Sequence, residues 1–334
     1  MRIGLVGVGR IGAFHAETLK GLDFVDELVV TDANAEAARE VATRLGLGFA
    51  PDPASLLDAG LDGFVIAAAT PAHASLLRQG VEAGVPTFCE KPVAGTLAET
   101  IEVAKLAGST DVPVHIGFQR RFDRGYQRLA QAVQGGELGF VHSIRAATHD
   151  QSPPHASYIP TSGGIFRDCS VHDFDILRFV TGREVVSVYA TGSNKGEPFF
   201  GEAGDVDTAA AVLTLDDDTL ALVSSTRYNG GGHDVRMEAH GSEGAMAVGL
   251  DDSLAFRSAE DGVDFPPGPQ HWSFMERFLP AYRAELTAFA EVARGDRPSP
   301  CTVDDALQAF RTAEACELSR REGRVVRLEE IETL

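Results

Sequence analysis

Ionisable side chains interrupt an otherwise apolar stretch between residues 163 and 179, which reads GGIFRDCSVHDFDILRF. Asp168, His172 and Asp175 follow each other at i, i+4 and i+7, which predicts one side of a helix. Carboxylate and imidazole groups are costly to bury without partners, so this helix either binds something or packs against polar neighbours. A histidine that titrates near neutral pH beside a carboxylate suits proton transfer from a hydroxyl group.

Two other interpretations of this stretch stay open. Asp168 and His172 could simply form a hydrogen bond with each other in the core, because buried polar groups are usually hydrogen-bonded. Asp168, His172 and Asp175 are also the ligand types that zinc or manganese takes. Because a nearby lysine would disfavour a divalent cation, we expect no metal site. Bound metal, with activity lost to chelators, would contradict this expectation.

A second group of charged residues ends an apolar run at PTFCEKP, residues 86–92. Lys91 is one of four lysines in the chain, and it directly follows a predicted strand rather than lying on a solvated helix. Pro92 lacks a backbone N–H and helps to end that strand. Burial beside charged neighbours suits a lysine that polarises a substrate hydroxyl group. The alternative is a structural ion pair of Lys91 with Glu90 or another carboxylate.

A glycine motif follows the first predicted strand in IGLVGVGRIGAFHAETL. Gly7 suits a tight turn, Gly9 lets a pyrophosphate approach the backbone, and Gly12 lets the next helix pack closely on the strand. The N-terminus of that helix adds N–H donors and a partial positive charge. Asp32 ends the second strand, where it can bind ribose hydroxyls and repel a 2′-phosphate. The motif therefore predicts NAD as the cofactor. NADP is less favoured, although Arg10 in the same loop could partly offset the repulsion of its 2′-phosphate.

Two more strand ends complete the predicted cofactor site, because ligands bind outside the carboxyl ends of strands in open α/β sheets. AAATPAH follows the fourth predicted strand, and FCEKP ends the next one. The expected cofactor-binding residues are Gly7, Val8, Gly9, Arg10, Ile11, Gly12, Asp32, Ala69, Thr70, Pro71, His73, Glu90 and Lys91.

The elements that must position these residues change character along the chain. Up to about residue 118, short apolar strands alternate with helical patterns, which predicts a doubly wound parallel sheet of the Rossmann type. After residue 136, longer strands separated by turn signals such as DDDT and GSEG predict a large, open, mostly antiparallel sheet. Helical patterns at 274–294 and 303–322 close the chain. We expect an α/β protein with domains at 1–119 and 120–334.

The composition limits the classes of partner. A chain of 334 residues, 44% of them hydrophobic, is long enough to form two cores. A formal net charge of −20 without a Lys/Arg block disfavours nucleic acid and anionic membranes. We expect neither a leader nor a membrane span, and the four cysteines show no CxxC spacing. These features predict a cytoplasmic protein that acts on a small molecule.

The motifs GVGRIGAFH, FCEKP, GFQRRFD and GGIFRDCSVHDFD, in this order, resemble the glucose–fructose oxidoreductase, inositol dehydrogenase and rhizopine-catabolism family (Gfo/Idh/MocA). GEAGDVDTA and AYRAELTAF are most similar to its inositol 2-dehydrogenase branch. The resemblance implies NAD-dependent oxidation of a secondary hydroxyl of a cyclic polyol, first of all myo-inositol or a related inositol. It also implies that the domain at 120–334 binds substrate and forms dimer or tetramer contacts through its open sheet.

The same resemblance implies that Lys91, Asp168 and His172 are catalytic. His172 would be the general base, Asp168 would orient its imidazole or bind a substrate hydroxyl, and Lys91 would stabilise alkoxide charge. Asp175 would be a supporting or structural partner. The expected substrate-binding residues are Lys91, Arg121, His149, Asp150, Tyr158, Asp168, His172 and His233.

Two departures from the inositol-type pattern bear on the substrate. Such relatives often have arginine where His149 stands here, and YGYD where this chain reads GGHD at 231–234. Both departures change pocket size and hydrogen bonding, so a related cyclitol or a pyranose sugar stays open. The alternatives are an aldose or pyranoside dehydrogenase and a non-catalytic NAD-binding sensor.

Overall fold

The structure is a computed structural model that describes residues 1–263, 265 and 268–332. The chain divides into two compact units. The first consists of Met1–Gln119 and Tyr282–Leu307, and the second of Arg120–Ala281 and the residues from Gln308 onward. The sequence predicts Tyr282–Leu307 in the domain at 120–334, whereas this division groups the segment with the first unit. Leu286 and Phe289 of this segment pack into the core of the first unit, which no local pattern could reveal.

A six-stranded parallel sheet forms the centre of the first unit. Its strands are β1 (Arg2–Val6), β2 (Glu27–Thr31), β3 (Gly48–Phe49), β4 (Gly63–Ile66), β5 (Thr87–Glu90) and β6 (Val114–Gly117). They lie in the order β3-β2-β1-β4-β5-β6, and all neighbouring pairs are parallel. This order confirms the predicted doubly wound Rossmann sheet.

Helices cover both faces of this sheet. They are α1 (Arg10–Lys20), α2 (Ala35–Leu45), α3 (Pro53–Leu57), α4 (His73–Glu82) and α5 (Leu97–Gly108). On one face, Leu19 of α1 packs in the same apolar cluster as Val30 of β2. On the other face, Gly80 of α4 is so close to β5 that an added Cβ would lie 2.3 Å from Thr87 Oγ1. The short β3 and α3 were not predicted, because elements of this length leave no periodic pattern.

A seven-stranded mixed sheet forms the centre of the second unit. Its strands are β7 (Val141–His149), β8 (Val185–Ser193), β9 (Thr208–Leu215), β10 (Leu220–Thr226), β11 (Asp234–Gly241), β12 (Ala245–Val248) and β13 (Val326–Arg327). The order is β12-β11-β7-β10-β9-β8-β13. Strands β7 and β10 pair in parallel and the other neighbours pair antiparallel, so the mostly antiparallel sheet is confirmed.

The remaining helices include the one that carries the ionisable stretch at 163–179. They are α6 (Arg124–Gln134), α7 (Ile159–Ser162), α8 (Val171–Thr181), α9 (Phe199–Glu202), α10 (Phe274–Ala293), α11 (Val303–Glu322) and α12 (Leu328–Glu332). A π-helical turn at Phe166–Ser170 leads directly into α8. Asp168 therefore lies in a π-helical turn and not on the α-helix, so the predicted α-helical spacing to His172 is wrong. Such turns recur at functional sites.

One face of the second sheet carries exposed apolar side chains. Tyr189 of β8, Val212 of β9 and Leu222 of β10 are register neighbours across three adjacent strands. Their exposed fractions are 45%, 44% and 44%. We call these three residues the apolar stripe. A contiguous apolar patch on an open sheet is typical of an interaction surface.

Both of the longest helices, α10 and α11, contain charged side chains throughout their 20 residues. In the part of the chain that the structure describes, no helix is both long and apolar enough to cross a membrane.

Candidate functional site

The loop between β1 and α1 has the form of a dinucleotide cradle. Gly7 has φ +95°, and a Cβ there would lie 2.4 Å from the Ala68 backbone nitrogen. A Cβ on Gly12 would lie 1.9 Å from the Gly7 carbonyl oxygen, so α1 can pack this closely only with glycine. A Cβ on Gly9 would meet no atom within 4 Å, so the space before its backbone is open. These residues fit a cofactor whose pyrophosphate approaches the backbone.

Two backbone N–H groups fix Asp32 at the end of β2. Its Oδ2 accepts from Val8 N at 2.8 Å, and its Oδ1 accepts from Asn34 N at 2.8 Å. Each carboxylate oxygen can accept a further hydrogen bond, so ribose hydroxyls can donate to an acceptor that is already in place. Arg10 and Ile11 open α1 beside this loop, and Arg10 is exposed.

The carboxyl ends of β4 and β5 carry the other expected cofactor residues. The turn after β4 contains Ala69, Thr70 and Pro71. Glu90 is the last residue of β5, and its Oε2 accepts a hydrogen bond from Lys91 N at 3.2 Å. The Lys91 side chain is half-buried. Both ends lie at the edge of the parallel sheet where ligands bind in this architecture.

His73 is buried between two loops of the protein. It is 1% exposed, with Nδ1 2.7 Å from the Pro92 carbonyl oxygen and Nε2 2.9 Å from the Ala68 carbonyl oxygen. The sequence placed His73 among the cofactor-binding residues. In the structure both of its ring nitrogens contact backbone atoms instead.

A buried arginine organises the polar residues of the second unit. Arg227 follows β10 and is 3% exposed. Its Nη1 donates to Asp150 Oδ2 at 3.1 Å, and its Nη2 donates to Asp168 Oδ2 at 2.7 Å. The Tyr158 hydroxyl donates to Asp168 Oδ1 at 3.0 Å, and His233 Nδ1 lies 3.6 Å from Asp150 Oδ1. We call these five residues the Arg227 cluster.

Burial and charge shift the pKa values within the Arg227 cluster. Burial disfavours the charged guanidinium, but surrounding charges that include Asp168 and Asp150 outweigh it and raise the pKa of Arg227 well above its usual value. Burial and the neighbouring Asp168 carboxylate raise the pKa of the Tyr158 hydroxyl. Burial also lowers the pKa of His233 to about 4. Near neutral pH the cluster therefore contains a charged Arg227, a neutral His233 and a protonated Tyr158.

Asp168 and His172 lie on either side of the junction between the π-helical turn and α8. Arg227 and Tyr158 each donate to a different oxygen of Asp168, and the side chain of Asp168 is 13% exposed. His172 is half-buried in the first turn of α8. A carboxylate held by two donors has a fixed orientation, which suits the positioning of a substrate or an imidazole.

The two arginines of GFQRRFD form buried ion pairs. Arg120 Nη1 donates to Asp173 Oδ1 at 2.7 Å, and Arg121 donates through Nε and Nη2 to Asp175 at 2.9 and 2.5 Å. Both arginine side chains are at most 6% exposed. Asp175 is thus the structural partner that the sequence allowed for. Arg121 was expected to bind substrate, but the structure places it with Asp175 and not in the Arg227 cluster.

His149 ends β7, opposite Asp234 of β11. Its Nε2 lies 3.1 Å from Ser224 Oγ, and its Nδ1 lies 3.6 Å from Asp234 Oδ2. These neighbours fix the ring, which is 19% exposed and can still contact a ligand. Across the described residues, no group of three or more His, Cys, Asp or Glu side chains is arranged to hold a metal ion.

Sequence reasoning missed two residues of these sites. Arg227 is a single charged residue at the end of the apolar strand that begins at TLALV. His15 lies on the buried face of α1, and its Nε2 is 2.5 Å from Glu90 Oε1. The available signal was the residue type: an arginine directly after an apolar strand, and a histidine on the apolar side of a helix.

Family models match most of the chain. Residues 1–118 match an oxidoreductase family with an NAD-binding Rossmann fold, and residues 126–247 match the GFO/IDH/MocA C-terminal domain. The two matches correspond to the first segment of the first unit and to the large sheet of the second unit.

Relatives of nearly equal length support the same assignment. A myo-inositol dehydrogenase of Streptomyces leeuwenhoekii is 38% identical, over 97% of this chain and 99% of that protein. A myo-inositol 2-dehydrogenase of Thermotoga maritima is 35% identical, over 99% of both chains. The crystal structure of a scyllo-inositol dehydrogenase from Lactobacillus casei, with bound NAD(H) and scyllo-inositol, gives a TM-score of 0.89 at 27% identity and covers 98% of this chain and 99% of that one. The chain therefore belongs to the Gfo/Idh/MocA family of oxidoreductases, with NAD as its cofactor.

Proposed function

We propose that the protein oxidises a secondary hydroxyl group of a cyclic polyol to the ketone, and that the substrate is an inositol, first of all myo-inositol. The observation that carries this proposal is the Asp168 carboxylate, held by Arg227 and Tyr158 four residues before a half-buried histidine. The full-length similarity to inositol dehydrogenases supports the substrate class.

The proposal gives each catalytic residue a task. His172 accepts the proton of the substrate hydroxyl, as a neutral imidazole can near physiological pH. Asp168 orients the His172 imidazole or accepts a hydrogen bond from a neighbouring substrate hydroxyl. Lys91 contributes a positive charge that stabilises negative charge on the substrate oxygen. NAD, when bound, supplies the acceptor for the hydride that leaves the carbon.

We propose that the glycine loop and Asp32 hold this cofactor. The open space before Gly9 and the N-terminus of α1 suit the pyrophosphate, and Asp32 suits the ribose hydroxyls. The charge of Asp32 disfavours the 2′-phosphate of NADP. The polyol would contact Asp150, His149, Tyr158 and His233 in addition to the catalytic residues.

An aldose or pyranoside dehydrogenase is the second candidate, because this chain has GGHD where inositol-type relatives often have YGYD. A Cβ on Gly231 would lie 2.6 Å from the Ala255 carbonyl oxygen. A tyrosine at position 231 therefore does not fit this backbone. A changed wall next to His233 favours a substrate that differs from myo-inositol in shape.

We also propose that a second copy of this chain covers the apolar stripe, which would make the protein a dimer or tetramer. Val212 lies at the centre of the stripe, between Tyr189 and Leu222 in register. A flat sheet face can pair with the same face of another copy, as two-fold symmetry requires.

A cytoplasmic location is a further proposal. All four cysteines, Cys89, Cys169, Cys301 and Cys316, are buried thiols. Free thiols persist in a reducing compartment, whereas secreted chains tend to pair them.

A substrate screen tests the proposed function. Purified protein with NAD is mixed with inositol stereoisomers, aldoses and pyranosides, and NADH absorbance is followed, with Lys91→Met as the inactive control. We expect turnover on at least one inositol. Turnover on aldoses or pyranosides alone would support the second candidate. Tight NAD binding without turnover on any polyol would instead indicate a non-catalytic sensor.

A further inference from the structure

Two buried histidines of the first unit contact the residues on either side of Lys91. His15 of α1 is 0% exposed, and its Nε2 lies 2.5 Å from Glu90 Oε1. His73 of α4 is 1% exposed, and its Nδ1 lies 2.7 Å from the Pro92 carbonyl oxygen. An apolar residue would fill either position without the cost of burying a polar ring, so the contacts themselves call for an explanation.

His15 acts on Lys91 through the Glu90 carboxylate. One Glu90 oxygen contacts His15 Nε2, and the other accepts the backbone N–H of Lys91 at 3.2 Å. The His15 ring is itself fixed, because it meets Phe88 edge-on with ring centroids 5.8 Å apart. Helix α1, which starts at the glycine loop, is therefore connected to the Lys91 backbone through two successive contacts.

His73 acts on the other side of Lys91, through the backbone of Pro92. Its second ring nitrogen, Nε2, lies 2.9 Å from the Ala68 carbonyl oxygen. Ala68 in turn packs against the glycine loop, since its backbone nitrogen occupies the space that a Cβ on Gly7 would need. The ring thereby connects the Lys91 segment to the loop after β4 and, through that loop, to the glycine turn.

We propose that His15 and His73 are positioning residues that together hold Lys91 in its working place. We call the pair the histidine clamp. His15 ties Glu90 to helix α1, which starts at the glycine loop, and His73 ties Pro92 to Ala68, which packs against Gly7. The placement of Lys91 therefore depends on the same elements as the cofactor loop. The inference rests on the proposed function, because that proposal makes Lys91 catalytic.

Side-chain geometry allows each contact to be tested separately. An asparagine amide can replace the Nδ1 of histidine, and a glutamine amide can replace Nε2. His73→Asn therefore keeps the contact with Pro92, whereas His73→Gln keeps the contact with Ala68. At the other histidine, His15→Gln keeps the contact with Glu90 and His15→Leu removes it.

Matched controls separate positioning from simple loss of packing. Leu19→Ala and Leu77→Ala remove buried side chains one helical turn after His15 and His73, on the same helices. Both are expected to lower the melting temperature, because they leave cavities. Neither takes part in the hydrogen bonds of His15, His73 and Lys91 described above, so neither should change turnover per folded molecule.

The measurements are kcat, the Kd for NAD, and hydrogen–deuterium exchange of the Lys91 amide, which does not depend on activity. We expect His15→Leu and His73→Gln to lower kcat about 10- to 100-fold, as a misplaced catalytic group does, while the Kd for NAD stays within about threefold. His15→Leu should also speed exchange of the Lys91 amide. His73→Asn should retain more turnover than His73→Gln, and His15→Gln more than His15→Leu.

Equal losses in His73→Asn and His73→Gln would overturn the clamp, because they would show that the identity of the retained contact does not matter. Unchanged exchange of the Lys91 amide in His15→Leu would overturn it as well. If Lys91→Met keeps full activity on the polyol, the proposed function is wrong instead. The exchange data then decide by themselves whether the clamp fixes this segment.

Discussion

Arg227 donates from Nη2 to Asp168 Oδ2 at 2.7 Å, while its Nη1 donates to Asp150 Oδ2 at 3.1 Å. One guanidinium thus joins three parts of the second unit: the end of β7, the end of β10 and the π-helical turn. The contact with Asp168 compensates the charge of a carboxylate that is 13% exposed and fixes the direction of its oxygens. The Asp168 carboxylate, which we propose orients His172 or binds a substrate hydroxyl, is therefore set in place by a residue distant from it in sequence.

Arg227→Met should destabilise the protein strongly. The variant leaves Asp150 and Asp168 without their shared cation, and removing one partner of a buried pair costs about 3 kcal/mol of unfolding free energy or more. Arg145→Met is the control, because Arg145 is 65% exposed and lies 3.9 Å from Glu238. The control should change stability by less than about 0.5 kcal/mol. Urea unfolding measures both, and equal effects would contradict the central place of Arg227.

His172→Ala should abolish most turnover without loss of cofactor. Removal of a general base lowers kcat about 10²- to 10⁴-fold, whereas the NAD contacts belong to the first unit and should persist. Steady-state kinetics at neutral pH and NAD titration by fluorescence measure the two quantities. The exposed His142 of β7, replaced by alanine, serves as control. Loss of NAD binding in His172→Ala would show that its role is misassigned.

Asp32→Ala should weaken NAD binding and relax discrimination against NADP. Loss of hydrogen bonds to a charged acceptor raises the Kd for NAD by about 10- to 100-fold. Asp32→Asn tests the charge separately, because it keeps an oxygen acceptor and removes the repulsion of a 2′-phosphate. Both variants remove at least one backbone contact of Asp32, so their melting temperatures are measured alongside. An unchanged ratio of NAD to NADP affinity would exclude the assigned ribose contact.

His233 should make the protein less stable as the pH falls below neutral. Its pKa is about 4 in the folded protein, lowered by burial from 6.5, so the unfolded chain takes up the proton first. The unfolding free energy that goes with a neutral, buried His233 is fully present above pH 6.5. It is lost as the pH falls toward 4, at up to about 1.4 kcal/mol per pH unit. His233→Gln should remove this part of the slope. Urea unfolding of both proteins between pH 7.5 and 4.5 checks it, and parallel curves would contradict it.

Leu222→Glu should separate the copies of the chain. The glutamate puts charges into the apolar stripe, where two copies would bring like charges together. An exposed side chain affects the stability of the single chain by only about 0.5 kcal/mol, so the variant should stay folded. Light scattering after gel filtration should give a dimer or tetramer for the unchanged chain and a smaller mass for the variant. A monomer in both cases would exclude the proposed interface.

Much of the fold follows from local signals. The first strand, the GxGxxG turn and the helix after it could be predicted, because a side chain at Gly7 or Gly12 would clash with nearby backbone atoms, as the Cβ distances show. Strands β7 to β12 of the second unit could be predicted from their apolar runs and turn residues, whereas the two-residue β13 could not. The π-helical turn at Asp168 could not, because the stretch has the composition of an ordinary α-helix and its apolar spacing does not distinguish the two.

The sequence by itself determined the parallel sheet, the cofactor loop and the identity of the candidate catalytic residues, since those rest on patterns within a few residues. The tertiary structure decided which charges meet. Arg121 is 54 residues from Asp175, Arg227 is 59 from Asp168, and His15 is 75 from Glu90. Pairing across such sequence separations is set by the packing of whole helices and strands. The residues around either partner do not reveal it, because local spacing reflects only contacts within one element.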